Sequence, residues 1–282
     1  MMNDVFLRYP GGFERAVTFS YDDSDMSNIR LKELFDKYGA KCTFNLNSGF
    51  FTDEDFIGEH RYLKYSEAKK LFYNSGHEVA VHGYTHPFFD LLPDGMTAYE
   101  IVKDREILEE LTEKPIHGMA FPNGPVNGDK AYPKRITDLL KSCGIYYART
   151  TLRAEDFRLP EDWHRLKVTC HHTDPDLMEL AKKFADTPVD RIPRLFYVWG
   201  HSFEFARNDS WDIMENLLLY LSKFNNIWYA TNIEVYNYVS AYKSLQFDVK
   251  GTMAYNPSCM PVYVCKNGKT VKINPNETEN LK

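Results

Sequence analysis

Short apolar runs alternate with longer amphipathic stretches along most of the chain after residue 15. The runs have the length of buried strands, and the stretches repeat apolar side chains at helical spacing. Glycine often marks the change, as in NIRLKELFDKYG before AKCTFNLN and ITDLLKSCG before IYYARTT, because it tolerates the left-handed turn that ends a helix. Roughly seven such units predict parallel strands in a closed or nearly closed α/β barrel, with an open doubly wound sheet as the alternative.

The pattern changes after residue 243, where the chain loses the helical repeat and becomes rich in strand-forming residues. In this tail the segment KNGK, residues 266–269, has the Asn-Gly pair typical of a two-residue hairpin turn. About forty residues are few for an independent core. We therefore predict a barrel over residues 1–243 and a β-hairpin extension over residues 244–282 that packs on the barrel.

Composition and charge exclude two classes of partner. The 282 residues carry a formal net charge of -6, and no lysine and arginine cluster is long enough to follow a phosphate backbone, so nucleic acid is excluded. No apolar run reaches the roughly 18 residues that span a bilayer. The first residues lack the basic and apolar segments of a leader, which predicts a cytoplasmic protein without a membrane partner. Aromatic residues, 15% of the chain, suit either a sugar cleft or the core.

Residues that can bind a metal follow two of the predicted strands. Asp22 and Asp23 end the run AVTFSYDDS, and His82 and His86 follow HEVAV. Adjacent residues of an extended strand point opposite ways unless the backbone turns, so the two aspartates can have different roles. The histidines share a face if their segment turns helically. An aspartate and two histidines form a 2-His-1-carboxylate set with open positions for water and substrate.

A later strand, RLFYVWGHS, delivers His201 directly after its apolar run. In a parallel α/β barrel the active site forms at the carboxyl ends of the strands, so we expect His201 near the aspartates. Histidine titrates near neutral pH and can protonate a leaving amine or alkoxide. Trp199 precedes it by two residues, so alternation puts on the same face an indole that could stack on a sugar. A core tryptophan behind the site is the alternative.

Together these residues resemble the polysaccharide deacetylases of carbohydrate esterase family 4. The first motif of that family reads Thr-Phe-Asp-Asp-Gly and is similar to Ser20-Tyr21-Asp22-Asp23-Ser24. The second reads His-Ser/Thr-x-x-His-Pro and is similar to HGYTHP at residues 82–87. The likeness runs over residues 15–241.

The resemblance implies a fold, a metal and a set of roles. The fold would be a distorted (β/α)7 barrel, with Asp22 as the catalytic base and His201 as the catalytic acid. One divalent ion, zinc with cobalt or nickel as alternatives, would be bound by Asp23, His82 and His86. Such an ion polarises an acyl carbonyl toward attack by water.

Two motifs depart from the family pattern. The third usually reads Arg-x-Pro-Tyr, whereas this chain has AFPNG at residues 120–124. The arginine that normally steadies the catalytic aspartate is therefore absent, which leaves the tuning of Asp22 open. By position, the backbone N–H of Asn123 is the oxyanion donor. The Asp-Trp of the fourth motif is matched only by Asp162 and Trp163.

The resemblance predicts a hydrolase that removes an acetyl group from an N-acetylated sugar or oligosaccharide. The same site suits an O-acetyl ester or a small cyclic amide, and a barrel without turnover would be a carbohydrate-binding protein. Of the pair His171 and His172, at least one could face the cleft. The candidate substrate contacts are Tyr21, Asn123, His172 and Trp199. The length of the substrate, the native metal and the oligomeric state stay open.

Overall fold

A computed structural model describes residues 5–52, 61–125, 132–189 and 191–282. The strands are β1 (Val5–Arg8), β2 (Arg15–Asp22), β3 (Cys42–Leu46), β4 (Glu78–Val81), β5 (Gly118–Ala120), β6 (Tyr147–Arg153), β7 (Leu166–Val168), β8 (Cys170–His171), β9 (Arg194–His201), β10 (Ile227–Tyr229), β11 (Gln246–Phe247), β12 (Met253–Tyr255), β13 (Val262–Lys266), β14 (Lys269–Ile273) and β15 (Thr278–Asn280). The α-helices are α1 (Asn28–Lys37), α2 (Tyr65–Phe72), α3 (Asp94–Thr112), α4 (Lys134–Ser142), α5 (Leu177–Asp186), α6 (Ser202–Arg207), α7 (Trp211–Leu221) and α8 (Asn232–Lys243).

The largest sheet is parallel and forms a nearly closed barrel. Its order is β7-β6-β5-β4-β3-β2-β9-β8, with β10 added beside β2. Only Thr169 separates β7 from β8, and its N–H donates to the carbonyl of Tyr197 on β9 at 2.8 Å. The two short strands therefore act as one interrupted strand between β6 and β9. The result is a seven-stranded barrel, which confirms the predicted fold and excludes the open doubly wound sheet.

Helices cover the barrel because each presents an apolar stripe to the sheet. Leu31 and Phe35 of α1 are fully buried in the main core, as are Leu217 and Leu221 of α7. No helix in the described part of the chain is both long enough and apolar enough to cross a membrane.

The carboxyl-terminal extension contains the predicted hairpin. Strands β13 and β14 pair antiparallel, with Lys266 opposite Lys269, and Asn267 and Gly268 both have positive φ. This is the geometry that an Asn-Gly turn favours. The sheet also includes β1, which pairs with β13 in the order β1-β13-β14. The extension thus shares a sheet with the amino-terminal segment, and the boundary at residue 243 remains a prediction.

Candidate metal centre and catalytic residues

The strand register brings the predicted site residues to one edge of the barrel. Asp22, the last residue of β2, is paired with His201, the last residue of β9, and with Asn45 on β3. His82 follows the last residue of β4 and donates its N–H to the carbonyl of Leu46 at the end of β3. The base, acid and metal candidates therefore meet at the carboxyl ends of neighbouring strands, where active sites of such barrels form.

A backbone turn separates the two aspartates. Asp23 has φ of 72°, a left-handed conformation that non-glycine residues seldom adopt and that costs free energy unless neighbours hold it. The carbonyl of Asp23 accepts a hydrogen bond from Asn28 Nδ2 at 2.8 Å, and the hydroxyl of Ser24 accepts one from the N–H of Asn47 at 3.0 Å. Because of this turn Asp22 stays buried whereas Asp23 is partly exposed.

Asp23, His82 and His86 converge as a potential metal-binding set. Oδ1 of Asp23 lies 3.8 Å from Nε2 of each histidine, and one ligand atom from each residue lies within 4.8 Å of the others. The segment that carries the histidines is an irregular turn, with Gly83 at φ of 79° and His86 at φ of 56°. The helical turn considered from the sequence is therefore wrong, although the two imidazoles still converge.

The donor chemistry of this set fits a divalent ion. Nδ1 of His82 lies 2.9 Å from the carbonyl of Ala120, so that nitrogen carries the proton and Nε2 keeps its lone pair. Burial lowers the pKa of His82 to about 4, which leaves the imidazole neutral at working pH. One carboxylate and two imidazoles are typical zinc ligands that leave a position open for substrate.

A buried carboxylate outside the predicted set holds the His82 segment. Asp104 on α3 accepts hydrogen bonds from the N–H and the hydroxyl of Ser48 at 2.7 and 2.6 Å, and from the N–H of His82 at 3.0 Å. Asn47 donates to the carbonyls of His82 and Gly83 at 2.7 and 2.8 Å. Asn47 therefore supports the turn that carries the two histidines.

Replacing Asp104 by asparagine is expected to weaken zinc binding by about 10- to 100-fold. Both oxygens of Asp104 accept hydrogen bonds, so an amide NH2 must face either the N–H of Ser48 or that of His82. Isothermal titration calorimetry on the metal-free protein measures the change. Asp138→Asn is the matched control, because Asp138 is an exposed residue of α4. Equal zinc affinity in the two variants would show that Asp104 does not position His82.

Each carboxylate oxygen of Asp22 accepts a hydrogen bond. Asn45 Nδ2 donates to Oδ1 at 2.8 Å, and Arg149 Nη2 donates to Oδ2. Burial alone raises the pKa of Asp22, but Arg149, His82 and His201 together lower it to about 2. Asp22 is therefore a carboxylate at neutral pH.

The arginine missing from the third motif has a replacement on the next strand. Arg149 lies on β6, is fully buried and forms an ion pair with Asp22. The face of Trp199 lies 4.5 Å from its guanidinium carbon. Although the third motif lacks its arginine, Asp22 is therefore paired with one. A cation inside the apolar strand IYYARTT was the available signal, because a buried arginine needs an anionic partner.

His201 is held by Glu204 on α6. Nδ1 of His201 lies 3.3 Å from Oε2 of Glu204, which also accepts the backbone N–H of His201 at 3.2 Å. Burial alone lowers the pKa of His201, but the carboxylates of Glu204, Asp22 and Asp23 outweigh it and raise the pKa above its usual value. This shift favours the protonated imidazole that a general acid requires.

The two residues matched to the fourth motif lie away from the candidate site. Asp162 and Trp163 precede β7, at the opposite end of the barrel from His201, and the Trp163 ring packs against Tyr236. Asp162 caps its own turn by accepting the N–H of His164 at 2.9 Å. Glu204 is therefore the carboxylate beside His201, and its place in the first turn of α6, three residues after His201, was the sequence signal.

Two of the four candidate substrate contacts are inaccessible. Tyr21 is 0% exposed and stacks on His172, which is 1% exposed, so neither is retained as a substrate contact. Trp199 is half-buried, with its indole against Arg149. Asn123 lies beside the metal candidates, where its Nδ2 donates to the carbonyl of His86 at 3.2 Å. Contacts of Trp199 and Asn123 with substrate remain predictions.

Comparison with known proteins supports the same family. A family model described as polysaccharide deacetylase matches residues 10–148, which include Asp22 and the candidate metal ligands. A curated peptidoglycan deacetylase of Helicobacter pylori is 26% identical over 178 residues, which cover 60% of this chain and 53% of the relative. The chain thus spans about half the length of this curated relative.

Solved structures agree on the fold. The Xyl-CE4 domain of a multidomain xylanase from the hindgut metagenome of Trinervitermes trinervoides has a TM-score of 0.54 at 12% identity, covering 81% of this chain and 92% of that one. A CE4 family pseudoenzyme from Bacillus anthracis has a TM-score of 0.52 at 14% identity, covering 79% and 66%. At such identities the likeness extends to the fold alone. Together with the matched residues and the barrel, these likenesses support a place for the chain among the polysaccharide deacetylases of carbohydrate esterase family 4.

Proposed function

We propose that this protein is a metal-dependent hydrolase that removes the acetyl group from an N-acetylated sugar or oligosaccharide. The observation that carries the proposal is the meeting of three chemical functions at one barrel edge. These are a buried carboxylate, a 2-His-1-carboxylate set and a histidine paired with its own carboxylate. Carbohydrate binding alone requires no such combination of charges.

Each residue has a distinct part in the proposed reaction. Asp22, kept ionised by Arg149, accepts a proton from the water that attacks the acetyl carbonyl. His201 has Nδ1 beside Glu204, which leaves its other ring nitrogen to protonate the departing amine. Asp23, His82 and His86 would hold a divalent ion, which would supply Lewis-acid stabilisation of the developing negative charge. The N–H of Asn123 is the second candidate donor to that charge.

The choice of substrate rests on the family. The curated relative is described as a peptidoglycan deacetylase, and the residues that distinguish an amide from an ester lie outside the metal set. We therefore infer an acetylated carbohydrate and give the N-acetyl amide precedence. Retention of base, acid and metal ligands together argues against a binding protein without turnover, although a pseudoenzyme shares the fold.

The test is acetate release from chitin oligosaccharides and peptidoglycan fragments by metal-free protein supplied with zinc, cobalt or nickel. We expect release to depend on the added ion and to be lost in His82→Ala. Acetylated xylan and a small cyclic amide, assayed in parallel, distinguish an O-acetyl esterase or a cyclic amide hydrolase. Zinc binding without release of acetate from any of these acetylated substrates would overturn the proposal.

A further inference from the structure

A second group of potential metal ligands lies beside His201, outside the set formed by Asp23, His82 and His86. Oε2 of Glu204 lies 3.2 Å from Nε2 of His171 and 3.3 Å from Nδ1 of His201. One ligand atom from each of these three residues lies within 4.8 Å of the others. Two ligands of a tetrahedral zinc ion are separated by about 3.3 Å when each bond is about 2.0 to 2.1 Å. Both contacts to Glu204 are close to that spacing.

A buried histidine lies next to this group. His172 is 1% exposed, and its Nε2 lies 3.6 Å from Oε2 of Glu204. Neither of its ring nitrogens has a hydrogen-bond partner among the described residues. Buried polar groups are nearly always paired, so an imidazole left this way calls for an explanation. The ring also lies where a side chain on Gly200 would be, because a Cβ there would meet Nδ1 at 1.9 Å.

The ring of His171 is held through Nδ1, with Nε2 directed at Glu204. Nδ1 accepts a hydrogen bond from the Thr173 N–H at 3.2 Å and lies 2.7 Å from the Thr173 hydroxyl. The proton of the neutral ring is therefore on Nε2, 3.2 Å from Oε2 of Glu204. A metal ion that binds Nε2 displaces this proton, as metal binding to histidine generally does.

We propose that His171, His201 and Glu204, with His172 as the fourth donor, form a second binding site for a divalent transition metal. Three imidazoles and one carboxylate select an ion such as zinc or copper and disfavour magnesium, which prefers oxygen ligands in an octahedral arrangement. This site is separate from the predicted Asp23, His82 and His86 set, because it uses none of those residues.

Occupation of this site has a consequence for activity, and that consequence rests on the proposed function. An ion on Nδ1 of His201 prevents the imidazole from becoming a cation, and a neutral metal-bound ring is a much weaker acid at its other nitrogen. Zinc in excess of the first equivalent should therefore inhibit acetate release. The two zinc equivalents would have opposite effects, the first required and the second inhibitory.

Zinc titration of the metal-free full chain by isothermal titration calorimetry tests the site without reference to activity. We expect two equivalents in the wild type and one in His171→Ala, with magnesium giving no second equivalent. The control is His117→Ala, because His117 precedes β5 at the opposite end of the barrel, and this variant should bind two. A single equivalent in the wild type, or two in His171→Ala with unchanged affinities, would overturn the proposal.

Two further measurements separate the possible failures. Anomalous diffraction at the zinc edge from wild-type crystals locates the ions even if His171→Ala does not fold, and an ion absent from Glu204 rejects the site. In the activity assay, His171→Ala should raise the inhibitory zinc concentration by about 10-fold or more. Two bound ions with no acetate release leave the second site standing and reject the proposed function. Metal-dependent release of acetate with only one bound ion would leave the proposed function standing and reject the second site.

Discussion

Replacement of Asp22 by asparagine should lower the rate of acetate release by about 10²- to 10⁴-fold, the usual contribution of a general base. The amide has nearly the shape of the carboxylate and can still accept from Arg149, but it cannot take a proton from water. Asp22 is not one of the three predicted metal ligands. The first zinc equivalent should therefore bind to Asp22→Asn with an affinity close to that of the wild type.

The rate of acetate release and the affinity for zinc are both needed to interpret the Asp22 variant. Acetate release measures turnover, and calorimetry on the same preparation reports whether the metal set is intact. Asp138→Asn is the matched control, since Asp138 lies on the exposed face of α4. Undiminished turnover in Asp22→Asn would remove Asp22 from the mechanism. Loss of zinc binding together with turnover would assign Asp22 to the metal set instead.

Replacement of Arg149 by methionine is expected to reduce turnover strongly and to make the residual activity more sensitive to acid. Without Arg149, the largest influence on the pKa of Asp22 is burial, which raises it. The base is then protonated at a higher pH. The acidic limb of the kcat/KM profile should therefore move to higher pH, a change that a merely structural defect would not produce.

The same ion pair contributes to stability. The pKa of Asp22 falls from 3.8 to about 2 on folding, so its contribution is present above about pH 4 and is lost as the pH falls toward 2. Breaking a buried pair typically costs about 3 to 5 kcal/mol because one charge is left unpaired. Urea unfolding at neutral pH measures this cost for Arg149→Met.

Two companion variants keep the Arg149 prediction testable if methionine impairs folding. Arg149→Lys retains the positive charge and should recover part of the activity and most of the wild-type pH profile. Arg153→Met removes an arginine from the same strand, but Arg153 pairs with Asp176 at the surface. This control should be close to the wild type. An unchanged acidic limb in Arg149→Met would contradict the role assigned to the ion pair.

The convergence of Asp23, His82 and His86 could be predicted because these residues occur in short motifs. The run AVTFSYDDS and the segment HGYTHP each place polar residues at a strand end, and parallel strands bring such ends together. Arg149 belongs to no such motif. Its contact with Asp22 joins β6 to β2 across the barrel, and this pairing depends on barrel closure and strand register, which hydrophobic periodicity does not specify.

The position of Tyr21 away from the site could have been predicted from the alternation of side chains along β2. Ser20 and Asp22 contact Asn45 at the site, so Tyr21 between them must point to the opposite side of the strand. There its ring packs on Phe35 of α1 and Phe205 of α6. Tyr21 was a candidate substrate contact, whereas the alternation of β2 places its side chain against the helices.

The pairing of β1 with β13 means that the first and last parts of the described chain protect each other's backbone. A protein shortened after Lys243 would keep the barrel strands but leave β1 with an exposed row of N–H and carbonyl groups. Such an edge readily recruits a strand from another molecule. Removal of the extension should therefore show itself first as self-association in size-exclusion chromatography, while the residues around Asp22 remain in place.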